Sequence, residues 1–390
     1  MTKREQQIYD LITSNPFISQ DEIASELHIT RASVSVYITN MIKKGIIIGR
    51  GYFLEALKTH ENRQPVCIGT TAVDLFGEVS DEQTIEAPVI FDNASFSISY
   101  GGCAKNVAEA LLHFGYQPVI ISAVGNDILG KGIIDECTNH GIDVANCVHI
   151  DGKPTASYLE IKKTPSYSIY MGLSNWAINH ELTPEVLMNR RRILANASVI
   201  ISDDSIPARS IEYLSNTYGR QNLILESTAR LSTIKEYLQY FGMIITDESY
   251  LDDAYNLNIM EDQNNVDTAR KTASELIKHG VDHCLFTFGP QKLCYLHAGK
   301  LYYSNVSFRD GKEEIKINQR FGTARAAITS TAVYCLDKGY PIESLLRHVA
   351  AARHHIALNG RGIDYSISPN VLVQHLSVLE DNLQIFSISK

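Results

Sequence analysis

No stretch of the 390-residue chain holds ~18 consecutive apolar residues, and its start lacks the charged-then-apolar order of a secretory leader. Neither a membrane span nor export is expected. Cysteine is scarce and scattered: Cys67, Cys103, Cys137, Cys147, Cys284, Cys294 and Cys335 are odd in number and contain no Cys-x-x-Cys pair. This argues against a disulfide framework or structural zinc site, so each Cys is expected to be a small buried hydrophobe in a reducing cytoplasm, and no metal ligand set is assigned. Positive charge is in deficit, with 35 Lys+Arg against 44 Asp+Glu and a net charge of -9, which as a whole-chain average argues against sequence-independent affinity for DNA. The average hides a segment. Residues 1–60 carry seven basic side chains (Lys3, Arg4, Arg31, Lys43, Lys44, Arg50, Lys58) and six acidic ones, a balance of +1 that leaves -10 for the rest. There is no internal repeat and no low-complexity tract. With 44% hydrophobic and 20% charged residues, the composition is that of a globular chain, long enough for two or three domains with cores of their own.

Residues 1–58 read as three short helices and a hairpin. Ile8, Leu11 and Ile12 form one stripe over 3–14, and Asn15-Pro16 ends that helix. Ser19-Gln20-Asp21-Glu22 is a capping box opening a second helix through Ile23, Ala24 and Leu27. Thr30 caps a third, from Arg31 to about Lys44, with Val34, Ile38 and Met41 inward and Arg31, Ser33, Ser35, Tyr37, Thr39 and Asn40 on the other face. Two apolar runs around Gly49-Arg50-Gly51 then have the shape of a wing. The segment resembles a bacterial winged helix-turn-helix. That resemblance implies a recognition helix in the major groove, with Thr30, Arg31, Ser33, Ser35, Tyr37 and Asn40 toward the DNA and Arg50 on phosphate. A three-helix protein-interaction module is the alternative.

Residues 59–65, polar and ending in Pro65, suit a linker. Beyond it, over 66–390, short apolar runs (119–124, 199–202, 223–225, 243–245, 284–286) alternate with helix-length amphipathic stretches, which implies a mostly parallel sheet covered by helices. Tyr158-Leu159-Glu160-Ile161 and Tyr167-Ser168-Ile169-Tyr170, around Lys163-Thr164-Pro165, read as a hairpin outside that sheet.

The clusters that carry chemistry come in a fixed order. Ile68-Gly69 closes a first strand and Asp74 follows; then come Tyr100-Gly101-Gly102-Cys103-Ala104-Lys105-Asn106, Val124-Gly125-Asn126-Asp127 with Gly130, Gly141-Ile142-Asp143 and Thr155-Ala156-Ser157-Tyr158. A Gly-Gly turn lets backbone approach a ligand, Asn106 at a helix start can bond a hydroxyl, and Asp74 can accept from two vicinal hydroxyls. Over about 320 residues this order resembles the ribokinase-like (PfkB) carbohydrate kinases, and with Leu182-Thr183-Pro184-Glu185 it is most similar to the pseudouridine and nucleoside kinases. The resemblance implies a three-layer α/β/α fold with a small β lid, its strands near 76–100 and 153–172. It also implies that Asp74, Gly101, Gly102, Lys105 and Asn106 hold a ribose-like polyol, and that Tyr158 and Tyr170 sit on a lid that makes a homodimer in many relatives. For both tyrosines, plain sheet packing is the alternative.

The phosphoryl-transfer half departs from the family pattern. Where the family has Gly-Ala-Gly-Asp opening a helix, this chain has Gly322-Thr323-Ala324-Arg325. A guanidinium cannot take a proton from an attacking hydroxyl, and between Asp310 and Asp337 the only carboxylates, Glu313 and Glu314, precede the turn. The family's Asn-x-x-Glu becomes Asp247-Glu248-Ser249-Tyr250, and its Gly-x-x-Gly becomes Gly289-Pro290-Gln291-Lys292. The expectation is a pseudokinase that senses a nucleoside or sugar, binds a palindromic operator as a homodimer and needs no cofactor. In that case residues 322–325 receive an anion, unless Arg325 simply pairs with Asp247 or another acid. The rival is an active ATP- and magnesium-dependent kinase using Asp247 or Glu226 as base.

Overall fold

A computed structural model describes residues 2–14, 18, 20–44, 46–47, 64–80, 94–164, 169–227, 231–259, 265–289, 291–310, 313–314, 322–359 and 367–388. The chain divides into two compact units, Met1–Arg63 and Gln64–Lys390.

In the first unit, α1 (Lys3–Ser14), α2 (Gln20–Glu26) and α3 (Arg31–Lys43) enclose Ile8, Ile12, Ile23, Val34, Ile38 and Met41, all buried, with Ile47 added from beyond α3. Thr30 caps α3 as the sequence suggests: its hydroxyl accepts from the Ser33 amide at 3.2 Å. Lys44, just past α3, returns to α1 through a 2.7 Å ion pair with the buried Glu5. Ser19 of the capping box and the Gly49-Arg50-Gly51 turn lie outside the described residues.

The second unit contains, in chain order, β1 (Gln64–Ile68), β2 (Ala72–Ser80), β3 (Ser95–Gly101), α4 (Cys103–His113), β4 (Val119–Ile121), β5 (Ala123–Gly125), α5 (Ile128–Asn139), β6 (Val148–Ile150), β7 (Ser157–Thr164) and β8 (Ile169–Asn175). There follow α6 (Pro184–Met188), α7 (Arg191–Ala195), β9 (Ala197–Asp203), α8 (Ala208–Tyr218), β10 (Leu223–Glu226), α9 (Leu231–Ile234), β11 (Met243–Thr246), α10 (Glu248–Tyr255), α11 (Val266–Lys278), β12 (His283–Thr287) and β13 (Lys292–His297). The last elements are β14 (Lys300–Asp310), β15 (Glu313–Glu314), α12 (Gly322–Asp337), α13 (Ile342–Asn359), α14 (Pro369–Leu376) and β16 (Leu379–Ser387).

The main sheet runs β15-β14-β13-β12-β11-β10-β9-β1-β4, with β16 also paired to β14. From β4 to β12 the pairs are parallel, and from β12 onward antiparallel. The parallel strands are unbroken apolar runs because both faces are covered: Val66 and Ile68 join one core with Val119, Ile121 and Leu225, while Cys67 between them joins the other with Ile120, Ile201 and Ile245. One expectation is corrected here. The run 119–124 is not a single strand, because it breaks at the buried Ser122, whose hydroxyl meets that of Thr71 at 3.0 Å, and β5 leaves the main sheet to pair with β6. A smaller sheet, β3-β2-β7-β8, stands apart from the main one.

Candidate functional site

The first half of the site forms at the carboxyl end of β1. Gly69 has φ +136°, and a Cβ there would lie 2.4 Å from the Asp203 carboxylate. Asp203, wholly buried at the end of β9, accepts from the Thr70 amide at 2.7 Å, the Ser205 amide at 3.0 Å and the Ser205 hydroxyl. Asn179 completes the network by donating to the hydroxyls of Thr70 (2.8 Å) and Ser205 (3.0 Å). Burial pushes the Asp203 carboxyl up, against these donors. Sequence reasoning missed Asp203 and Asn179. The available signal was the polar run Ser202-Asp203-Asp204-Ser205 directly after an apolar strand, where ligands of open α/β sheets gather.

Asp74 lies on β2 opposite Ser99 of β3 and beside Tyr158 of β7. Its carboxylate packs so closely on the end of β3 that a Cβ on Gly101 would come within 2.1 Å of Oδ2. Gly102, at φ +94°, leaves no room for a side chain against the Thr70 carbonyl, 2.5 Å from its Cβ position. The Gly-Gly pair is therefore demanded by close approach, and it delivers Asn106, half-buried, on the first turns of α4. Lys105 sits differently from the expectation that it touches ligand. It is 1% exposed, with its ammonium 2.5 Å from Glu109, whose other oxygen faces His140 at 3.1 Å. Its charge nonetheless reaches Asp74: burial pushes that carboxyl up to about 6, Lys105 holds it down and Glu160 pushes it further up.

The smaller sheet carries two unlike faces. Rows of registered neighbours put Asp74, Ser99, Tyr158 and Ser174 on one face, followed by Phe76, Ser97, Glu160 and Gly172. The other face has Ile98, Leu75, Leu159 and Leu173, then Phe96, Gly77, Ile161 and Met171. On the polar face the Tyr158 hydroxyl donates to Glu160 at 2.7 Å, Lys162 ion-pairs with Glu160, and Trp176 stacks on Tyr158 with centroids 6.3 Å apart. On the apolar face Phe96 is 78%, Ile98 65% and Leu173 60% exposed. Tyr170 belongs to β8, but its side chain is outside the described residues.

The second half of the site gathers around Arg325 on the first turn of α12. Its Nη1 donates to the Tyr250 hydroxyl at 2.6 Å and lies 3.3 Å from Asp247 Oδ2, with the guanidinium over the Tyr250 ring at 4.9 Å. Asp247 is the N-cap of α10, accepting from the amides of Ser249 (3.0 Å) and Tyr250 (3.1 Å). Burial opposes the charge on Arg325, but Tyr250, Asp247 and Glu226 outweigh it and hold the guanidinium firmly protonated. Burial pushes Glu226 up to about 7, while Arg325, Thr329 and Cys103 pull it down. Ala324 is buried, and of Gly322 and Thr323 the described part is the helix backbone. Beyond this cluster, the Gly289 turn is pinned from two sides: Glu248 accepts from its amide at 3.2 Å, and the buried Arg353 donates to the carbonyls of Gly289 (2.9 Å) and Lys292 (3.3 Å).

In the N-terminal unit, the residues expected to face DNA separate into two groups. Arg31, Ser35 and Asn40 are exposed along α3, together with Ala32, Val36 and Thr39. Thr30 and Ser33 are engaged with each other at the cap, their hydroxyls 2.9 Å apart, and Tyr37 packs partly into the core. Arg50 lies outside the described residues.

The family described as pfkB family carbohydrate kinase matches residues 62–308, and that described as winged helix-turn-helix DNA-binding matches 1–48. The chain is 29% identical over 216 residues to an uncharacterized sugar kinase, YeiI, of Escherichia coli (strain K12), covering 55% of this chain and only 57% of that protein. Similarity to the pseudouridine kinase of the same organism is 22% over 286 residues, covering 73% and 87%. Among solved structures, a carbohydrate kinase from Agrobacterium tumefaciens superposes with a TM-score of 0.67 at 16% identity (83% of this chain, 100% of that one). The Arabidopsis thaliana ribokinase complexed with ribose and ATP does so at 0.64 and 16% (80% and 98%). At such identities the structures establish the fold.

Proposed function

The chain belongs to the pfkB family of carbohydrate kinases and carries a winged helix-turn-helix DNA-binding unit ahead of that domain; from this premise we propose that it is a ligand-responsive transcription regulator of the cytoplasm. Its kinase-like domain binds a nucleoside or sugar without transferring phosphate.

The observation that carries this reading is the Arg325 cluster. Transfer requires a group that accepts the hydroxyl proton, and the residue at that position is a guanidinium bound to Tyr250 and Asp247. The residues also do not fit a magnesium ion. Tyr250 stands where the family has Glu, and a cation at Asp247 would face the positive charge already there. ATP and magnesium therefore enter no step of this reading. The polar half, by contrast, keeps Asp74 as acceptor for vicinal hydroxyls and Asn106 as a further partner. A ligand shifts DNA binding only through unequal affinity for two states. Closing the lid on a ligand alters the exposed apolar face of the lid, and a second copy of the chain covering that face sets the spacing of two recognition helices on a palindromic operator. Where the ligand is phosphorylated, Gly322 to Arg325 receives the phosphate in competition with Asp247. Equal affinity of Arg325→Ala for plain and phosphorylated ligands, both unchanged from wild type, would remove that clause.

A second reading rests on Glu226. A buried carboxyl with a pKa near 7 is a competent proton acceptor, and an active nucleoside or sugar kinase with an autoregulatory DNA-binding unit would use it. ADP release with a panel of nucleosides and pentoses separates the two. We expect ligand-induced thermal stabilisation without turnover, whereas robust wild-type turnover rising through about pH 7 establishes the kinase. A gel shift of the full chain on its own promoter, with and without ligand, tests the DNA half.

A further inference from the structure

The outward side of α3 is apolar at its middle. Val34, Ile38 and Met41 face the core, and the exposed row on the far side of the helix is Ala32, Val36, Thr39 and Lys43. At about 100° per residue, Val36 points about 170° away from the mean direction of the three buried side chains. It is 59% exposed. We infer that Val36 is a specificity-determining residue that reads the 5-methyl group of thymine, so that each operator half-site carries a T·A pair recognised through apolar contact. This deepens the DNA-binding half of the reading above and rests on it.

The polar side chains of α3 are drawn away from that row. The Thr30 and Ser33 hydroxyls meet each other at the cap, Arg31 lies on the flank toward α2, 3.7 Å from Asp21, and Tyr37 packs partly into the core. Thr39 stands on the row, but its hydroxyl donates to the Ser35 carbonyl at 2.8 Å, which turns the oxygen along the helix and leaves the methyl as its outward group. The Val36 isopropyl group is thus flanked by the Ala32 and Thr39 methyls, and the first charge on the row is Lys43, one turn beyond Thr39. A lone exposed valine is ordinary on a protein surface, but this one sits in a row of three apolar groups on a helix whose partner is specified by the winged helix-turn-helix match over residues 1–48. The apolar group that base pairs present in the major groove is the thymine 5-methyl. Val is also a poorer helix former than Ala at an exposed position, and its branched side chain is stiff, so it costs helix stability and offers a rigid apolar surface in return. Asn40, exposed one turn beyond Val36, carries the amide that suits adenine, so the adjoining contact favours an A·T pair as well.

The test starts from the full-length chain and a pool of duplexes with about 25 randomised base pairs, enough for two half-sites one helical turn apart. Selection is run with and without the nucleosides and pentoses of the turnover assay. Each thymine of the enriched site is then replaced singly by deoxyuridine, which deletes the methyl and keeps the base pairing, and affinities are read by anisotropy. At one pair in each half-site uracil should weaken binding about four-fold, and about fifteen-fold when both are changed, the effect of one methyl per half-site left out of contact. In Val36→Ala, which retains helix propensity, affinity for the thymine site should fall by a comparable factor, and uracil at that pair should cost nothing further. Uracil tolerated at every position, or a penalty undiminished in Val36→Ala, overturns the thymine reading while sequence-specific binding stands. Binding without enrichment of any sequence also overturns it and leaves only non-specific affinity for DNA. If Val36→Ala sediments as a smaller species and weakens on every duplex alike, the row is a contact between copies of the chain, and the thymine reading falls. No binding to any duplex overturns the DNA-binding half of the proposed function together with this role of Val36.

Discussion

Asp74 and Arg325 mark the two halves of the site, and each is set by burial and neighbouring charge. Asp74 titrates near 6 because burial disfavours its charge. A protonated carboxyl no longer accepts from two vicinal hydroxyls, so ligand affinity should weaken as pH falls through about 6. The unliganded fold responds in the opposite sense. The folded chain holds this proton after the unfolded chain has released it, so stability should fall as pH rises from the ordinary carboxylate range through about 6. Titrations between pH 5 and 8 on wild type and Asp74→Asn check both, and the variant should lose this pH dependence. Arg325 was legible as a departure from the family pattern, as was Tyr250, but the two stood 75 positions apart in the chain. Their 2.6 Å contact turns separate changes into one structure, in which the hydroxyl at the lost Glu position binds the guanidinium at the lost base position. The Asp203 network escaped for the same reason, since Thr70, Asn179 and Ser205 meet only in space.

At the scale of elements, the parallel strands and α3 were legible because their signals are local: two-sided burial gives unbroken apolar runs, and Thr30 announces a helix start. Two elements were not. The break at Ser122 depends on which strand each half pairs with, and β16 gains its identity from nine residues of β14 rather than from its own mixed sequence. The lid shows what register adds. Alternation alone distinguishes two faces, but only pairing across four strands makes Phe96, Ile98, Leu173 and Met171 one patch. A contiguous exposed apolar surface of this kind needs a cover, and here a second copy is proposed to supply it. Phe96→Asp with Ile98→Asp should convert a dimer into monomers by sedimentation while leaving ligand-induced stabilisation in place, because both positions lie on the face away from Asp74.

For the whole molecule, charge is unevenly allotted. The net -9 belongs mainly to the larger unit, and residues 1–60 stand near neutrality. In the proposed regulator, operator affinity should therefore come from shape, base contacts and pairing of two copies more than from phosphate attraction. With about three phosphate contacts per copy, the slope of log affinity against log salt for a dimer should stay shallower than about -6. Anisotropy titrations across a salt series measure it, and a slope near -10 would contradict this assignment. The lid-disrupting pair should also weaken operator binding, since each copy alone has too little charge to hold DNA.

The position of β1 has a mechanical consequence. It is the first described strand of the larger unit, and it lies one strand in from the edge of the main sheet, in parallel register with the edge strand β4 on one side and β9 on the other. Tension applied to the chain ahead of Gln64 acts along the axis of β1, so the hydrogen bonds on both its flanks share the load together instead of opening one after another. The larger unit is thus tied to the chain ahead of it through a strand bonded on both flanks, so a tug on that chain is resisted by two ladders at once.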